Sequence, residues 1–324
     1  MALLITGGTG FLGSYLARYA LGQGGQDHVV LLDRYADRGR IAAVLDRVTL
    51  IEGDVGDFAT VRAAMADHDI DRVAHFAGIL GSPLPGKMLD YVRVQNVGTA
   101  NVLEAARVEG VKRVLFASSV AAYGKQQAEV LTEDLGPNPD NLYGSAKAWG
   151  ESLVAHYHAQ LGLDTVTLRY GSTYGFGRAW RGSYSSGVLP VPTSTHFMAR
   201  VEDAARGKPV VMPRDDAMAD WTYAADAAQA AWLALEAQEL KHRLYNVGVE
   251  RRPVGEFTRA MRELLPDAQI SVSPDETPGN PHPPLDAMRL QGDLAFAPRY
   301  SLKAGLADYI EAIRAHDIFV SQGG

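Results

Sequence analysis

Cysteine is absent from this chain of 324 residues. Without thiols the protein can form no disulfide bond, no thiolate nucleophile and no cysteine-ligated metal centre. The lack of cysteine fits a reducing compartment, and we expect the cytoplasm as the default location. We also predict no metal site.

A basic surface and a long hydrophobic run are also missing. The formal net charge is −7 and the pI is near 5.7, whereas phosphate-rich partners require a positive field. The opening residues, Met1 to Thr6, carry no basic segment or cleavage site and lead directly into a glycine cluster. We therefore expect no nucleic-acid partner, no membrane partner, no signal peptide and no membrane span.

Hydrophobic residues make up 47% of the chain, which suffices for one large core. Short apolar runs alternate with stretches of helical spacing, and this alternation is typical of an α/β protein with a Rossmann-type doubly wound parallel sheet. The runs are Leu3 to Thr6, Val29 to Asp33, Val48 to Glu52, Arg72 to His75, Arg113 to Ala117, Thr165 to Arg169 and Leu244 to Val247. The predicted helices are Gly13 to Leu21, Phe58 to Met65, Val94 to Val108 and Tyr143 to Leu161.

The amino-acid composition of the sequence changes after Arg169. Glycine, serine and aromatic residues crowd positions 171–195, and a proline-rich stretch fills positions 274–284. Irregular segments of this kind commonly carry binding loops. We therefore predict a Rossmann core over residues 1–170, to which residues 215–250 return, and a smaller C-terminal substrate-binding lobe formed by residues 171–214 and 251–320.

Gly7, Gly10 and Gly13 form a G-x-x-G-x-x-G pattern between the first predicted strand and helix. Backbone N–H groups and a helix N-terminus at such a turn can hold a pyrophosphate. Asp33 ends the next strand, where a carboxylate accepts hydrogen bonds from ribose hydroxyls and repels a 2′-phosphate. The pattern predicts NAD as the cofactor rather than NADP, with dual specificity through Arg34 as the alternative.

Two segments that follow later strands complete the predicted cofactor site. Asp54 and Val55 are placed to contact the edge of the adenine ring. The segment Phe76-Ala77-Gly78 lets the backbone pass close to the cofactor, because small side chains leave room there. His75 ends a buried strand, and we interpret it as a core residue rather than as a catalytic base.

Tyr143 and Lys147 form a Tyr-x-x-x-Lys pair, and their spacing places both side chains on one face of a helix. A nearby ammonium and a nicotinamide charge favour the phenolate, so Tyr143 can exchange a proton with a substrate hydroxyl. Ser119 follows a predicted strand, where its hydroxyl can bind the substrate oxygen.

These motifs together resemble the extended short-chain dehydrogenase/reductase family, often labelled NAD-dependent epimerase/dehydratase, over nearly the whole chain. The matching segments are Thr6 to Gly13, Asn96 to Ala106, Ser118 to Gly124, Tyr143 to Lys147 and Asp220 to Asp226. The resemblance implies that Ser119, Tyr143 and Lys147 are catalytic, that Lys147 also holds the nicotinamide ribose, and that Asn96 supports the site. It also implies a homodimer through a four-helix bundle, formed by the helices near residues 95–108 and 143–161, whose apolar faces could equally be plain core.

Other predicted contacts complete the site. Further cofactor contacts are expected from Phe11, Leu12, Ala117 and Tyr170. Substrate contacts are expected from Ile79, Ser82, Ser119, Ser172, Thr173, Arg178 and Arg181.

Departures from the family pattern narrow the reaction. Val120 and Ala121 stand where dehydratases and decarboxylases of this group place acidic residues, which disfavours both reactions. Epimerases that relay protons through cysteine are excluded. Ser172 and Ala219 replace the Asn and Arg that touch the diphosphate of nucleotide sugars, which favours a smaller substrate. The alternative is that Arg178, Arg181 or Arg214 takes over the contact with the diphosphate.

We therefore predict an NAD-dependent oxidoreductase that moves a hydride to or from a secondary alcohol of a small polar substrate, sugar-derived or carboxylated. An NAD-dependent sugar or nucleotide-sugar epimerase is the first alternative, because it uses the same residues for a transient oxidation. A non-catalytic NAD-binding protein is the second alternative, against which the intact Ser119, Tyr143 and Lys147 argue.

Overall fold

The computed structural model describes residues 2–24, 28–81, 83, 85–178, 197–249, 251–276 and 282–321. Its strands are β1 (Ala2–Thr6), β2 (His28–Asp33), β3 (Val48–Glu52), β4 (Arg72–His75), β5 (Arg113–Ser119), β6 (Thr165–Tyr170), β7 (Thr173–Tyr174), β8 (Val210–Met212), β9 (Met218–Asp220), β10 (Thr222–Tyr223), β11 (Leu244–Val247), β12 (Arg251–Pro253) and β13 (Ile270–Val272). Its α-helices are α1 (Phe11–Gly22), α2 (Phe58–Ala66), α3 (Met88–Val92), α4 (Gly98–Val108), α5 (Leu142–Leu161), α6 (Phe197–Ala205), α7 (Ala224–Glu236), α8 (Val254–Leu264), α9 (Met288–Leu294) and α10 (Leu302–Ser321).

A parallel sheet of seven strands forms the centre, in the order β11-β6-β5-β4-β1-β2-β3. Alternate side chains of β1 enter different apolar clusters, with Leu3 and Ile5 on one face and Ala2 and Leu4 on the other. Both faces are therefore covered, which is why these strands read as continuous apolar runs rather than as an alternating pattern.

The predicted sheet is confirmed, since all seven predicted strands take part in it. One predicted helix differs. Residues 94–108 do not form a continuous α-helix, because a π-helical turn occupies Arg93–Val97 between α3 and α4. A π-turn inserts one extra residue and rotates the side chains on either side of it, and such turns are common at functional sites.

The chain returns to the sheet after β10. The indole of Trp232 on α7 packs against Tyr19 on α1, and β11 pairs with β6. Smaller strand pairs, β7–β10, β8–β13 and β9–β12, lie beyond the sheet. One apolar cluster includes residues of both predicted lobes, from Leu3 to Ile313, so the division into lobes stays a prediction.

In the described part of the chain, none of the helices has the length and apolar character needed to cross a membrane. The described residues likewise include no group of His, Asp and Glu side chains arranged to hold a metal ion.

Candidate active site

One cleft lies at the carboxyl ends of the central strands, where ligands bind in open α/β sheets. It gathers most of the predicted site residues, namely Gly7, Gly10, Phe11, Leu12, Gly13, Asp33, Arg34, Asp54, Val55, Phe76, Ala77, Gly78, Ile79, Ala117, Ser119, Tyr143, Lys147, Tyr170, Thr173 and Arg178. Asn96 and Ser172 do not line it. Ser82 and Arg181 lie outside the described residues.

The glycine-rich turn is shaped as a cradle. Gly7 has a φ of +66°, and a Cβ there would come within 2.8 Å of the Ala77 backbone nitrogen. Gly13 packs against the Gly7 carbonyl so closely that no side chain fits. Helix α1 begins after Gly10, and no side chain caps it. The N–H groups of its first turn can therefore bind an anionic group, and the cradle fits a pyrophosphate.

Asp33 ends β2 beside this turn. Its carboxylate accepts hydrogen bonds from the backbone N–H groups of Thr9 at 3.0 Å and Tyr35 at 3.2 Å. Burial raises the pKa of Asp33, and the hydrogen bonds from Thr9 and Tyr35 act in the opposite direction. The carboxylate is thus fixed at the cleft edge, where a ribose would lie next to a pyrophosphate held by the turn.

Arg34 lines the cleft, and its contact with a 2′-phosphate stays a prediction. Its guanidinium pairs with Asp54 at 3.5 Å, and Arg93 of the π-turn pairs with the same carboxylate oxygen at 2.7 Å. Asp54 also accepts a hydrogen bond from the Gly56 N–H at 2.8 Å. The adenine side of the cleft is therefore bordered by an ordered charge cluster.

Several residues of this side were not predicted, among them Tyr35, Asp37 and Arg40. Arg40 is buried and belongs to a 3₁₀ segment over Gly39–Arg47. It donates to the Thr9 carbonyl at 3.4 Å and pairs with Asp37 at 3.3 Å. No sequence motif marks these residues, because the tertiary fold alone returns the segment to the glycine-rich turn.

His75 is a core residue, as interpreted from the sequence. The Thr99 hydroxyl donates to the Gln95 carbonyl at 2.7 Å, so its oxygen accepts from His75 Nε2 at 3.1 Å. His75 Nδ1 then accepts from the Thr6 hydroxyl at 2.7 Å. Burial, with a smaller effect of the Lys147 charge, lowers the pKa of His75 to about 3. The imidazole therefore stays neutral and fully bonded.

The predicted catalytic side chains converge from two elements. Ser119 is the last residue of β5, and its hydroxyl accepts from the Ala121 N–H at 3.2 Å. Helix α5 begins after Asn141, whose side chain caps it by accepting from the Gly144 N–H at 2.9 Å. This cap places Tyr143 and Lys147 in the first turns of α5, with the Lys147 Nζ 5.7 Å from the Tyr143 ring centroid.

Lys147 is buried beneath the cleft. Its Nζ donates to the Ala117 carbonyl at 2.8 Å and lies 5.0 Å from the Phe116 ring centroid. Burial lowers the pKa of Lys147 to about 8, and the charge of Glu151 opposes this shift. Gly78 faces this ammonium, since a Cβ at Gly78 would lie 3.5 Å from the Nζ.

The π-turn places Gln95 against the segment that follows β4, although Gln95 does not itself line the cleft. The Gln95 amide accepts from the Ile79 N–H at 3.3 Å and donates to the Ile79 carbonyl at 2.9 Å. It thereby fixes the segment after β4 that carries Gly78 and Ile79. Asn96, the predicted supporting residue, does not line the cleft, so its role stays a prediction.

Further residues of the cleft belong to the predicted cofactor and substrate contacts. The guanidinium carbon of Arg178 lies 5.7 Å from the Phe11 ring centroid. Tyr170 and Phe76 have ring centroids 6.1 Å apart, and Thr173 lies on β7. Ser172 is exposed, and its carbonyl accepts from the Thr222 N–H at 3.1 Å, so β10 is fixed beside this segment.

The match to known families agrees with this geometry. Residues 3–248 match the family model described as the NAD dependent epimerase/dehydratase family. The chain belongs to this family. Membership confirms the resemblance drawn from the motifs, the Rossmann-type fold and the expectation of an NAD-dependent enzyme of the extended short-chain dehydrogenase/reductase type.

Individual relatives differ in their reactions. The chain is 30% identical over 321 residues to the UDP-glucose 4-epimerase of Azospirillum brasilense, covering 94% of this chain and 89% of that protein. It is 36% identical over 211 residues to the D-erythronate dehydrogenase of Cupriavidus necator, covering 60% of this chain and 63% of that protein. The solved UDP-glucose 4-epimerase of Thermus thermophilus, in complex with NAD, superposes with a TM-score of 0.76 at 27% identity, covering 97% of this chain and 99% of that one.

Proposed function

We propose that this enzyme moves a hydride between NAD and a secondary carbinol carbon of a sugar-derived substrate, with Ser119, Tyr143 and Lys147 as its catalytic residues. The observation that carries the proposal is the convergence of these three side chains on the cleft that contains the glycine-rich cradle. A cofactor site and a proton-transfer site open into one space, which a hydride transfer requires.

The cofactor would be held by this chain's own groups. The N–H groups at Phe11 to Gly13 would bind the pyrophosphate, Asp33 the adenosine ribose, and Lys147 the nicotinamide ribose. When bound, NAD supplies the acceptor for the hydride that leaves the substrate carbon.

Side chains of the protein transfer the proton of the substrate hydroxyl. Tyr143 in its phenolate form takes the hydroxyl proton of the substrate as the carbon–oxygen bond becomes a carbonyl, and it returns the proton in the reverse direction. The Ser119 hydroxyl donates to the reacting oxygen and so orients the substrate. The Lys147 ammonium, one helical turn from Tyr143, lowers the free energy of the phenolate.

Return of the hydride to the same carbon from the other face gives epimerisation, and this outcome has the stronger support. UDP-glucose 4-epimerases match the chain over up to 94% of its length, and the likeness to the Thermus thermophilus enzyme extends over 97% of it. A nucleotide sugar is then the substrate, and the enzyme keeps its NAD through each turnover.

Net oxidation of a small sugar acid is the second candidate. Two observations favour it: the 36% identity to D-erythronate dehydrogenase, and Ser172 and Ala219 at the positions where nucleotide-sugar enzymes carry diphosphate-binding residues. In this case Arg178, which lines the cleft, would pair with the substrate carboxylate.

One experiment separates the candidates. Purified enzyme and NAD are incubated with UDP-hexoses, UDP-hexuronic acids and four- to six-carbon sugar acids, with NADH absorbance and product chromatography read together. Interconversion of UDP-sugar isomers without net NADH supports the epimerase. Net NADH with a sugar acid supports the dehydrogenase. Bound NAD with neither product would contradict the proposed substrate class.

We further propose that the protein lies in the cytoplasm. We also propose that two chains form a homodimer. Helices α4 and α5 lie side by side, since the Tyr157 hydroxyl donates to Glu104 at 3.1 Å. Apolar side chains on these helices and the adjoining π-turn are exposed, namely Val97, Val108, Trp149 and Leu161. Helices of this character from two chains would complete a four-helix bundle. Trp149→Glu should yield a monomer by light scattering, and an unchanged mass would contradict this interface.

A further inference from the structure

Glu151 carries a largely buried carboxylate that has no role in the proposed reaction. Its side chain is only 10% exposed. On α5 it follows Tyr143 and Lys147 at successive four-residue spacings, so the three side chains share one face of the helix. A carboxylate in such a place costs free energy unless hydrogen bonds and a counter-charge compensate it.

The compensation comes from the two strands that carry the site. Ser118 on β5 donates its hydroxyl hydrogen to Glu151 Oε1 at 2.5 Å. Arg169 on β6 donates to the same oxygen at 2.8 Å and to Oε2 at 2.6 Å, and its side chain is 2% exposed. Ser118 and Arg169 are partners in the register of the sheet. Glu151 therefore joins α5 to both strands at one point.

This junction lies directly beside the catalytic residues. Helix α5 contacts two successive residues at the end of β5: Lys147 binds the Ala117 carbonyl, and Glu151 binds the Ser118 hydroxyl. Ser119 is the next residue. The separation between α5, which carries Tyr143, and the strand end that carries Ser119 is thus set by these two contacts.

The charges around Lys147 give Glu151 a second effect. Helix α5 presents Tyr143 and Glu151, β4 presents the neutral His75, and β5 presents the Ala117 carbonyl. On β6, Arg169 is paired with Glu151. Burial favours the neutral amine of Lys147, whereas the Glu151 charge favours the ammonium.

We propose that Glu151 is a positioning residue, which fixes the strand end before Ser119 through Ser118 and Arg169 and supplies a counter-charge on the face of α5 that carries Lys147. This inference rests on the proposed function, in which Lys147 acts as an ammonium. It assigns a catalytic consequence to an ion pair that would otherwise be purely structural.

The test observes Lys147 directly and needs no substrate. The full-length protein is labelled with ¹³C at the lysine Cε positions, the Lys147 resonance is identified by its loss in Lys147→Arg, and its titration is followed by NMR. We expect wild-type Lys147 to titrate near pH 8. In Glu151→Gln, the midpoint should fall by about one unit, because the Glu151 charge favours the ammonium form of Lys147.

Glu104→Gln is the matched control. Glu104 also forms a two-point ion pair, with Arg107 at 3.0 and 2.7 Å, but it lies on the outside of α4 and meets α5 at Tyr157, beyond Lys147. Its removal should leave the Lys147 midpoint unchanged. If Glu151→Gln does not fold, the double variant Glu151→Met with Arg169→Met replaces the whole pair by apolar side chains, which buried ion pairs commonly tolerate.

A folded Glu151→Gln protein in which Lys147 still titrates at the wild-type midpoint would overturn the proposal. This outcome is distinct from failure of the proposed function. Turnover that survives Tyr143→Phe would contradict the catalytic assignment whatever the titration of Lys147 shows.

Discussion

The ammonium nitrogen of Lys147 lies 5.7 Å from the centroid of the Tyr143 ring while it donates a hydrogen bond to the Ala117 carbonyl. The charge is therefore fixed next to the phenol rather than free to move. Because the ammonium is buried, loss of its charge would strongly destabilise the phenolate form of Tyr143.

This relationship predicts the pH dependence of the reaction. Below about pH 8 Lys147 is protonated and favours the Tyr143 phenolate, and above that pH it becomes neutral. We expect kcat/KM to fall on the alkaline side with an apparent pKa near 8. His75, whose pKa is about 3, should contribute no transition between pH 5 and 7. A histidine-like transition that disappears in His75→Asn would contradict this assignment.

Cofactor choice should depend on Asp33. We expect Asp33→Ala to weaken NAD binding by roughly ten- to a hundredfold, because hydrogen bonds to a charged group contribute about 1.5–3 kcal/mol. NADP binding should weaken less, since the repulsion of a 2′-phosphate is also removed. Calorimetric titration with both cofactors measures this difference.

Glu52→Ala is the control for Asp33. Glu52 is the register partner of Asp33 on the neighbouring strand β3, but it is exposed and does not line the cleft. It should leave both affinities unchanged. Equal losses of NAD and NADP binding in Asp33→Ala would contradict the proposed role of the carboxylate.

The glycine-rich turn should not tolerate a side chain at Gly7. Its φ of +66° and the 2.8 Å approach to the Ala77 nitrogen predict that Gly7→Ala lowers the free energy of unfolding by roughly 1 kcal/mol or more and weakens NAD binding. Gly22→Ala is the control, because a Cβ at the end of α1 meets nothing within 4 Å. Denaturant unfolding should show little change or a small gain for Gly22→Ala, and equal losses for both variants would contradict the account.

Much of the site could be predicted from local patterns. The glycine spacing, Asp33 at a strand end and the Tyr143–Lys147 pair each depend on one turn, one strand end or one helix, and such local relations are visible in the sequence. The seven strands were predictable for a similar reason, since each is a short apolar run between breakers.

The residues that sequence reasoning missed depend on tertiary structure. Gln95 was missed because Asn96 was chosen from the family resemblance, whereas the contact of Gln95 with Ile79 depends on the π-turn and on the path of the chain after β4. Arg40 reaches the glycine-rich turn only through the path of its 3₁₀ segment. Glu151 was predictable in part, because it continues the four-residue spacing of Tyr143 and Lys147, but its partners on two strands were not.

The central claim is that Tyr143 carries the proton of a hydride transfer, and Tyr143→Phe tests it most directly. Hydride transfer and NAD binding are measured on the same preparation, with Tyr157→Phe as the control, because Tyr157 also lies on α5 but contacts α4 and does not line the cleft. The account predicts a fall in kcat of about a hundredfold or more in Tyr143→Phe, with NAD affinity within about twofold of wild type and a normal rate in Tyr157→Phe. A wild-type rate in Tyr143→Phe would contradict the account.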